Sequence, residues 1–236
     1  MTGKFIVFEG VDRSGKSTQM KIAKDYLEHL NYNVTCVQEP GGTDLGKQLR
    51  AILKDSNIKC CPYAQKALFM AARVQLITEI VNPALKRGDI VLCDRYALST
   101  ICYQILPNRK DTDAILTTET FDLLRSYSRE LCFALDYTGI PDLNLVFDID
   151  FNTWKERGNT RNTGDRFEDN TSLIQNVIKN YRTMSYLCKL SEIDTDHCKS
   201  AVYGINFGNC AIIDGAKSQE AVSNQVRGVL AKFLGR

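Results

Sequence analysis

Short apolar runs alternate with amphipathic stretches along the chain, and this alternation predicts strands separated by helices. Between the apolar runs, hydrophobic residues recur at every third or fourth position, which is the period of a helix. The five predicted strands are residues 5–8, 34–37, 90–93, 143–147 and 210–213. Near-continuous apolar strands joined by helices are typical of a parallel sheet with helices on both faces. The sequence therefore predicts an α/β protein.

The predicted helices differ in length, and the one at residues 63–87 is the longest. We expect an irregularity in it near Asn82 and Pro83, because proline removes a backbone donor from a helix. The other predicted helices are residues 16–30, a short one that ends near 54, and 97–105, 117–134, 154–157, 172–190 and 218–233. Residues 107–112 are predicted to form a polar loop and residues 191–208 an irregular stretch.

The composition narrows the class of protein. A chain of 236 residues can form one domain, 1–236, with a core that needs no covalent staples. The hydrophobic content of 44% is that of a soluble globular protein, and a net charge of +2 gives no general reason to expect a nucleic-acid partner. No stretch approaches the length of a membrane span, and a strand that begins at Phe5 leaves no room for a signal peptide. We therefore expect a cytoplasmic protein without a membrane partner.

The chain has nine cysteines, which is many for this class. The odd number and the lack of a C-x-x-C pair argue against a complete disulfide framework. Cys36, Cys93 and Cys210 fall inside apolar runs, where a reduced cysteine acts as a small hydrophobic side chain.

The segment after the first predicted strand carries the strongest chemical signal. Residues 10–17 spell G-x-x-x-x-G-K-S between a strand and a helix, which is the pattern of a phosphate-binding loop. Its glycines allow backbone N–H groups to converge on a phosphate at the positive end of the helix. In such loops a lysine, here Lys16, reaches the β- and γ-phosphates, and a hydroxyl, here Ser17, ligates Mg²⁺. A glycine-rich turn without a ligand is the alternative interpretation.

Two charged residues stand at the carboxyl end of the third predicted strand, where ligands bind in parallel sheets. Asp94 would lie beside the phosphate loop and hold Mg²⁺ through water, unless it is an ordinary helix N-cap. Arg95 would bridge the donor and acceptor phosphates, because guanidinium binds phosphate oxygens in a fixed fork. A surface salt bridge is the alternative role for Arg95.

Residues 157–170 are polar and charged, and glycine and asparagine interrupt them. Cationic side chains such as Arg157, Arg161 and Arg166 on a mobile segment indicate a lid that closes over ATP and excludes water. An arginine of this kind can neutralise the charge on the transferred group. A solvated loop has the same composition and is the alternative.

Phe69 and Arg73 are four residues apart on the long predicted helix and therefore share a face. An aromatic ring beside a guanidinium could stack on a nucleobase and donate to it. Considered alone, the pair is better explained as a core phenylalanine and a surface arginine. The chain has no N-K-x-D motif, which argues against a GTPase.

Five separated blocks of the sequence match one known family in the same order along the chain. They are residues 8–19, 39–43, 69–75, 94–96 with 99–100 and 103–104, and 165–168. On these blocks the chain resembles the thymidylate kinases. The resemblance implies a P-loop NTPase fold with a five-stranded parallel sheet and a lid over about 157–170. It also implies a homodimer that transfers phosphate from ATP to dTMP with Mg²⁺, yielding ADP and dTDP.

The resemblance further assigns roles to individual residues. Asp12 would meet the sugar 3′-hydroxyl of dTMP, Phe69 would stack on thymine, and Tyr103 would exclude a ribose 2′-hydroxyl by its bulk. The implied substrate-binding residues are Asp12, Glu39, Arg50, Phe69, Arg73, Arg95, Ser99, Tyr103 and Gln104. The implied ATP-binding residues are Gly10, Val11, Asp12, Arg13, Ser14, Gly15, Lys16, Ser17, Thr18 and Arg157. The implied metal site comprises Ser17, Asp94 and Glu39.

The chain mixes two versions of the family pattern. Arg13 in the phosphate loop resembles the eukaryotic type, whereas residues 39–43 and the arginine-bearing lid resemble the bacterial type. The predicted catalytic residues therefore include both Arg13 and Arg161, together with Lys16 and Arg95. A kinase for another nucleoside monophosphate or for a deoxynucleoside, and a nucleotide-binding protein without turnover, are the alternative functions.

Overall fold

Five parallel strands form one sheet in a computed structural model that describes residues 3–106, 118–134, 139–158, 167, 170–193 and 207–236. The strands are β1 (Lys4–Glu9), β2 (Val34–Gln38), β3 (Ile90–Asp94), β4 (Leu143–Asp148) and β5 (Asn209–Asp214), in the order β2-β3-β1-β4-β5. All neighbouring strands pair in parallel. The chain leaves β1 toward one edge and crosses after β3 to the other side of β1, so that the carboxyl end of β1 opens into a central crevice. The predicted fold class is confirmed.

The helices connect the strands and cover the sheet. They are α1 (Lys16–His29), α2 (Asp44–Lys54), α3 (Pro62–Leu76), α4 (Asn82–Arg87), α5 (Ala97–Thr100), α6 (Thr118–Ala134), α7 (Phe151–Gly158), α8 (Thr171–Ile193) and α9 (Gln219–Phe233). Successive side chains of a strand point to opposite faces, so Phe5 and Val7 pack in one core layer and Ile6 and Phe8 in the other. The first layer is completed by residues of α3, α5 and α8, and the second by residues of α1 and α9.

Two π-helical turns interrupt helices that the hydrophobic period predicts to be continuous. The first π turn, Ile77–Val81, separates α3 from α4 just before Pro83, so an irregularity near this proline is confirmed. The second π turn, Ile101–Ile105, follows α5, and its wider ring is closed by the Leu106 N–H, which donates to the Ile101 carbonyl at 2.9 Å. π turns occur often at functional sites.

The edge strands are less buried than the sequence predicts. Cys36 is exposed, whereas Cys93 and Cys210 are buried and reduced as expected. β2 lies at one edge of the sheet and only Val37 in it is fully buried, so the prediction of a buried Cys36 is wrong.

One helical stretch is long and apolar enough to qualify as a membrane span by length and composition, contrary to our expectation. It is Pro62–Arg87, in which a window of 18 residues has a mean hydropathy of 1.2. Its buried face, including Met70, Leu76 and Ile77, packs in the first core layer against the sheet, which is the pattern of a core helix. Three other predictions lie wholly or mostly outside the described residues: the loop at 107–112, most of the lid, and most of 191–208.

Candidate active site

The phosphate loop joins β1 to α1 and depends on two glycines with positive φ. Gly10 has φ 137°, and a Cβ there would lie 2.7 Å from the carbonyl oxygen of Phe147. Gly15 has φ 97° and immediately precedes the first helical residue, Lys16. Because a side chain would be strained at both positions, the G-x-x-x-x-G spacing follows from the backbone path.

Lys16 is folded back over the phosphate loop. Its Nζ donates to the carbonyl of Val11 at 2.8 Å, and the residue is buried. Burial and the nearby charge of Arg95 lower the pKa of Lys16 to about 8, although Asp12 and Asp94 oppose the shift. A lysine that is desolvated in this way gains strongly from an incoming phosphate, because the phosphate supplies the missing counter-charge.

Ser17 and Asp94 face each other across the loop, and both belong to the predicted metal site. The Ser17 hydroxyl donates to Asp94 Oδ2 at 2.9 Å, while Asp94 Oδ1 is buried and accepts no hydrogen bond within the part of the chain that the structure describes. The following helix begins at Ala97, so the alternative role of Asp94 as a helix N-cap is wrong. A hydroxyl beside a carboxylate with an unused oxygen is a donor set that suits Mg²⁺.

The described residues hold no cluster of three or more histidine, cysteine or acidic side chains of the kind that cages a metal. Mg²⁺ in phosphotransferases is usually held by one or two protein oxygens together with phosphates and waters, so the Ser17–Asp94 pair fits this mode. Glu39, the third predicted metal residue, is directed instead at Arg73.

Arg95 connects the end of β3 to the phosphate loop. Its φ is 70°, an uncommon conformation for a residue with a side chain, and such strain is typical of functional sites. Its guanidinium donates to Asp12 Oδ1 at 2.7 Å and to the Gly10 carbonyl at 2.9 Å. The side chain of Arg95 is only 18% exposed, so the alternative of an ordinary surface salt bridge is wrong. Burial alone would raise the pKa of Asp12, but Arg95 and Lys16 outweigh it and hold that pKa well below its usual range.

A buried carboxylate behind this pair holds the end of β1 against α5 and α8. Glu9 accepts hydrogen bonds from the backbone N–H groups of Tyr96 and Ser99, from the Ser99 hydroxyl and from the Tyr181 hydroxyl. Ser99 and Tyr181 also face Arg95. The sequence indicated no role for Glu9 or Tyr181, although Glu9 stands directly before the phosphate loop.

A cavity of about 210 Å³ opens beside the phosphate loop, at the carboxyl ends of β2 and β3. All nine predicted substrate-binding residues line it: Asp12, Glu39, Arg50, Phe69, Arg73, Arg95, Ser99, Tyr103 and Gln104. Further lining residues, for which the sequence suggested no role, are Pro40, Leu53, Lys54, Tyr96, Thr100 and Phe167. The structure thus brings residues of all five sequence blocks together around one space.

Arg73 forms the buried floor of this cavity and is not the surface arginine of the alternative interpretation. Its side chain is 0% exposed and makes a two-pronged ion pair with Glu39, with Nε 2.9 Å from Oε2. It also donates to the hydroxyls of Thr100, at 2.9 Å, and Tyr127. Burial raises the pKa of Glu39 to about 7, against the opposing charge of Arg73. The pair therefore fixes the position of the cavity floor.

Arg157 stands at the end of α7 and holds the phosphate loop from outside. Its two terminal nitrogens donate to the carbonyls of Arg13, at 3.0 Å, and Gly215, at 2.7 Å. Arg157 therefore joins the predicted ATP-binding loop to the turn after β5. Arg161, the lid candidate for catalysis, lies outside the described residues.

A central parallel strand that runs into a glycine loop, with a buried lysine and a Ser–Asp pair beside a cavity, defines a P-loop nucleotide-binding protein. The family model of thymidylate kinase matches residues 8–202. The thymidylate kinase of Thermosipho africanus is 33% identical over 230 residues, which cover 98% of each chain. That of Fervidobacterium nodosum is also 33% identical, over 98% of this chain and 100% of its own, and that of Buchnera aphidicola is 37% identical over 76% and 80%. The chain belongs to the thymidylate kinase family.

Proposed function

We propose that this protein transfers the γ-phosphoryl group of ATP to dTMP, yielding ADP and dTDP. The observation that carries the proposal is the cavity beside the phosphate loop, whose lining includes Phe69 and Arg73 of α3 together with Asp12 and Arg95. A nucleoside monophosphate with its base between Phe69 and Arg73 would direct its phosphate toward Arg95 and the loop. ATP bound in the loop would present its γ-phosphate to the same region.

The chain's own residues act by positioning and by charge neutralisation. Lys16 and the loop N–H groups hold the phosphates of ATP, and Arg95 contacts the phosphates of both substrates. A dTMP phosphate oxygen attacks the γ-phosphorus in line, and no covalent enzyme intermediate is needed. Asp12, held by Arg95, accepts a hydrogen bond from the 3′-hydroxyl of the acceptor.

Mg²⁺ is part of the proposal, and the unused oxygen of Asp94 supports it. The Ser17 hydroxyl would ligate the ion directly and Asp94 would hold its waters. When bound, the ion neutralises charge on the β- and γ-phosphates. Glu39 contributes indirectly, through the position of Arg73.

A panel of acceptors tests the proposed substrate. With Mg·ATP held constant, we expect kcat/KM for dTMP to exceed that for dCMP, dGMP and thymidine, because the first two lack a thymine ring for Phe69 and Arg73 and thymidine lacks the phosphate for Arg95. The measurement is ADP release by each acceptor at several concentrations. An equal or higher kcat/KM for any of the three would identify a different kinase, and ATP binding without ADP release would indicate a protein without turnover.

We also propose that the protein is a homodimer. Several large apolar side chains on α2, α3 and α6, or between α2 and α3, are exposed: Leu45 (47%), Ile52 (38%), Ile58 (39%), Tyr63 (74%) and Leu123 (44%). Exposed apolar residues clustered on neighbouring helices are typical of an interaction surface.

Light scattering after gel filtration tests the dimer. We expect a mass of twice 26.6 kDa for the wild type and a shift toward 26.6 kDa for Tyr63→Glu, because a charge would be buried in the interface. Tyr186→Glu is the matched control, since Tyr186 is also exposed, at 62%, but lies on α8. A monomeric wild type at micromolar concentration would contradict the proposal.

A further inference from the structure

The guanidinium of Arg13 lies in a slot formed by α7. Its Cζ is 4.4 Å from the centroid of the Trp154 ring, which is within cation–π distance. Trp154 is itself 3% exposed and stacks on Phe151, so the ring is a fixed surface. The sequence indicated no role for Trp154.

The other wall of the slot is Gly158. A Cβ at this position would lie 1.9 Å from Nη1 of Arg13, so the guanidinium occupies the space that any side chain would fill. Nothing in the backbone of Gly158 requires glycine, because its φ is not positive. The absence of a side chain is explained by Arg13 alone.

The backbone of Arg13 is also held. Its φ is 68°, and its carbonyl accepts a hydrogen bond from Arg157 of the same helix. The main chain and the side chain of Arg13 therefore both depend on α7, which contacts them through Trp154, Arg157 and Gly158. An arginine that is fixed from both ends loses little further entropy when it meets a phosphate.

We infer that Trp154 and Gly158 are positioning residues that hold Arg13 of the phosphate loop for phosphoryl transfer. This inference rests on the proposed function. It adds to that function by identifying what orients Arg13, one of the two candidate catalytic arginines. Trp154 supplies a flat, buried face for the guanidinium, and Gly158 leaves the space for it. Neither residue contacts a substrate in this role.

The test is a double-mutant cycle with kcat as the readout. We expect Trp154→Ala and Gly158→Ala each to lower kcat by about 10- to 100-fold while the KM for dTMP changes little, because displacement by about 1 Å has effects of this size. In an Arg13→Ala background, either change should lower kcat by less than about twofold further, since the residue that they position is gone. Trp154→Phe should retain more activity than Trp154→Ala, because it keeps an aromatic face.

Two features separate positioning from general stability. Gly158→Ala adds one methyl group at the last residue of α7 and removes no buried side chain, so we expect the melting temperature to stay close to that of the wild type while kcat falls. Lys155→Ala is the control on the same helix, because Lys155 lies over the Phe151 ring, and we expect its kcat to match the wild type. If Trp154→Ala lowers kcat equally in the presence and absence of Arg13, or if Arg13→Ala itself leaves kcat unchanged, the inference is overturned.

A second readout does not depend on turnover. Trp154 is the only tryptophan of the chain, so its fluorescence reports this contact directly. We expect Arg13→Ala to move the emission maximum to longer wavelength, because water replaces the guanidinium on the ring; an unchanged spectrum would overturn the inference. If the wild type forms no dTDP, the proposed function fails, and the fluorescence result still decides whether α7 holds Arg13.

Discussion

Lys16→Ala should reduce kcat by at least about 10²–10³-fold, the size of effect seen when one group that stabilises transition-state charge is removed. The lysine is buried over the loop with its Nζ on the Val11 carbonyl, and it lies within the field of Arg95, Asp12 and Asp94. Alanine has no charge to replace the ammonium group, so the phosphates of ATP lose a counter-charge that Arg13, held against α7, does not replace. Steady-state rates of ADP formation at saturating ATP and dTMP measure the loss.

The fold should survive this change, because the amine makes one hydrogen bond, to a backbone carbonyl of its own loop. Circular dichroism and a thermal melt check that point. Lys24→Ala is the matched control: Lys24 lies on the same helix, paired with Glu28 at the surface, and its loss should leave kcat unaltered. Turnover at the wild-type rate in Lys16→Ala would contradict the role assigned to the loop.

Arg73→Met should destabilise the protein by about 3–5 kcal/mol, because Glu39 loses its buried partner and must either stay a desolvated carboxylate or take up a proton. Both side chains are almost completely buried, at 0% and 2% exposure, and methionine keeps much of the volume of arginine without its charge. The same change should raise the KM for dTMP, since the arginine is the floor of the cavity. Urea unfolding followed by circular dichroism gives the free energy, and initial rates give the KM.

Two further variants isolate the cause. Arg182→Ala breaks another arginine–carboxylate pair, with Asp148, but these side chains are 50% and 31% exposed, so we expect a loss below about 1 kcal/mol. Arg73→Met combined with Glu39→Gln removes both charges and should recover part of the stability. If the double variant is as unstable as the sum of the two single ones, the ion pair is not the source of the effect.

Much of the fold and the phosphate loop could be predicted from the sequence because the signals are local. The strands are apolar runs, and the loop is a fixed spacing of glycines, a lysine and a serine between a strand and a helix. The nucleoside pocket, by contrast, was predicted from the family resemblance. The types of Phe69 and Arg73 alone left their roles open, and the family resemblance assigned them to a nucleoside pocket that the structure assembles.

Other features depend on contacts between residues that are distant in sequence. The hydrogen bond between Glu9 and Tyr181 spans 172 positions, and nothing in the helical pattern of α8 marks Tyr181 as special. The slot for Arg13 likewise joins the phosphate loop to α7. In the sequence, Gly158 is indistinguishable from an ordinary glycine at the end of a helix. Cys36 is exposed because β2 is an edge strand, and the hydrophobic pattern of a strand does not reveal its position in the sheet.

Because of the second π turn, the number of residues in this segment determines which of its side chains face the cavity. Four cavity residues, Ser99, Thr100, Tyr103 and Gln104, come from α5 and this turn. In a regular α-helix, positions so spaced would fan out over roughly 140° of the circumference, which is too wide for one wall. The wider ring of the π turn brings these four positions closer together around the helix axis. Asn180 of α8 stabilises the π turn by donating to the carbonyls of Cys102 and Leu106. Deleting a single residue here would convert the π turn into regular helix and turn these side chains away from the cavity. We therefore expect this stretch to tolerate substitutions better than the deletion of a residue.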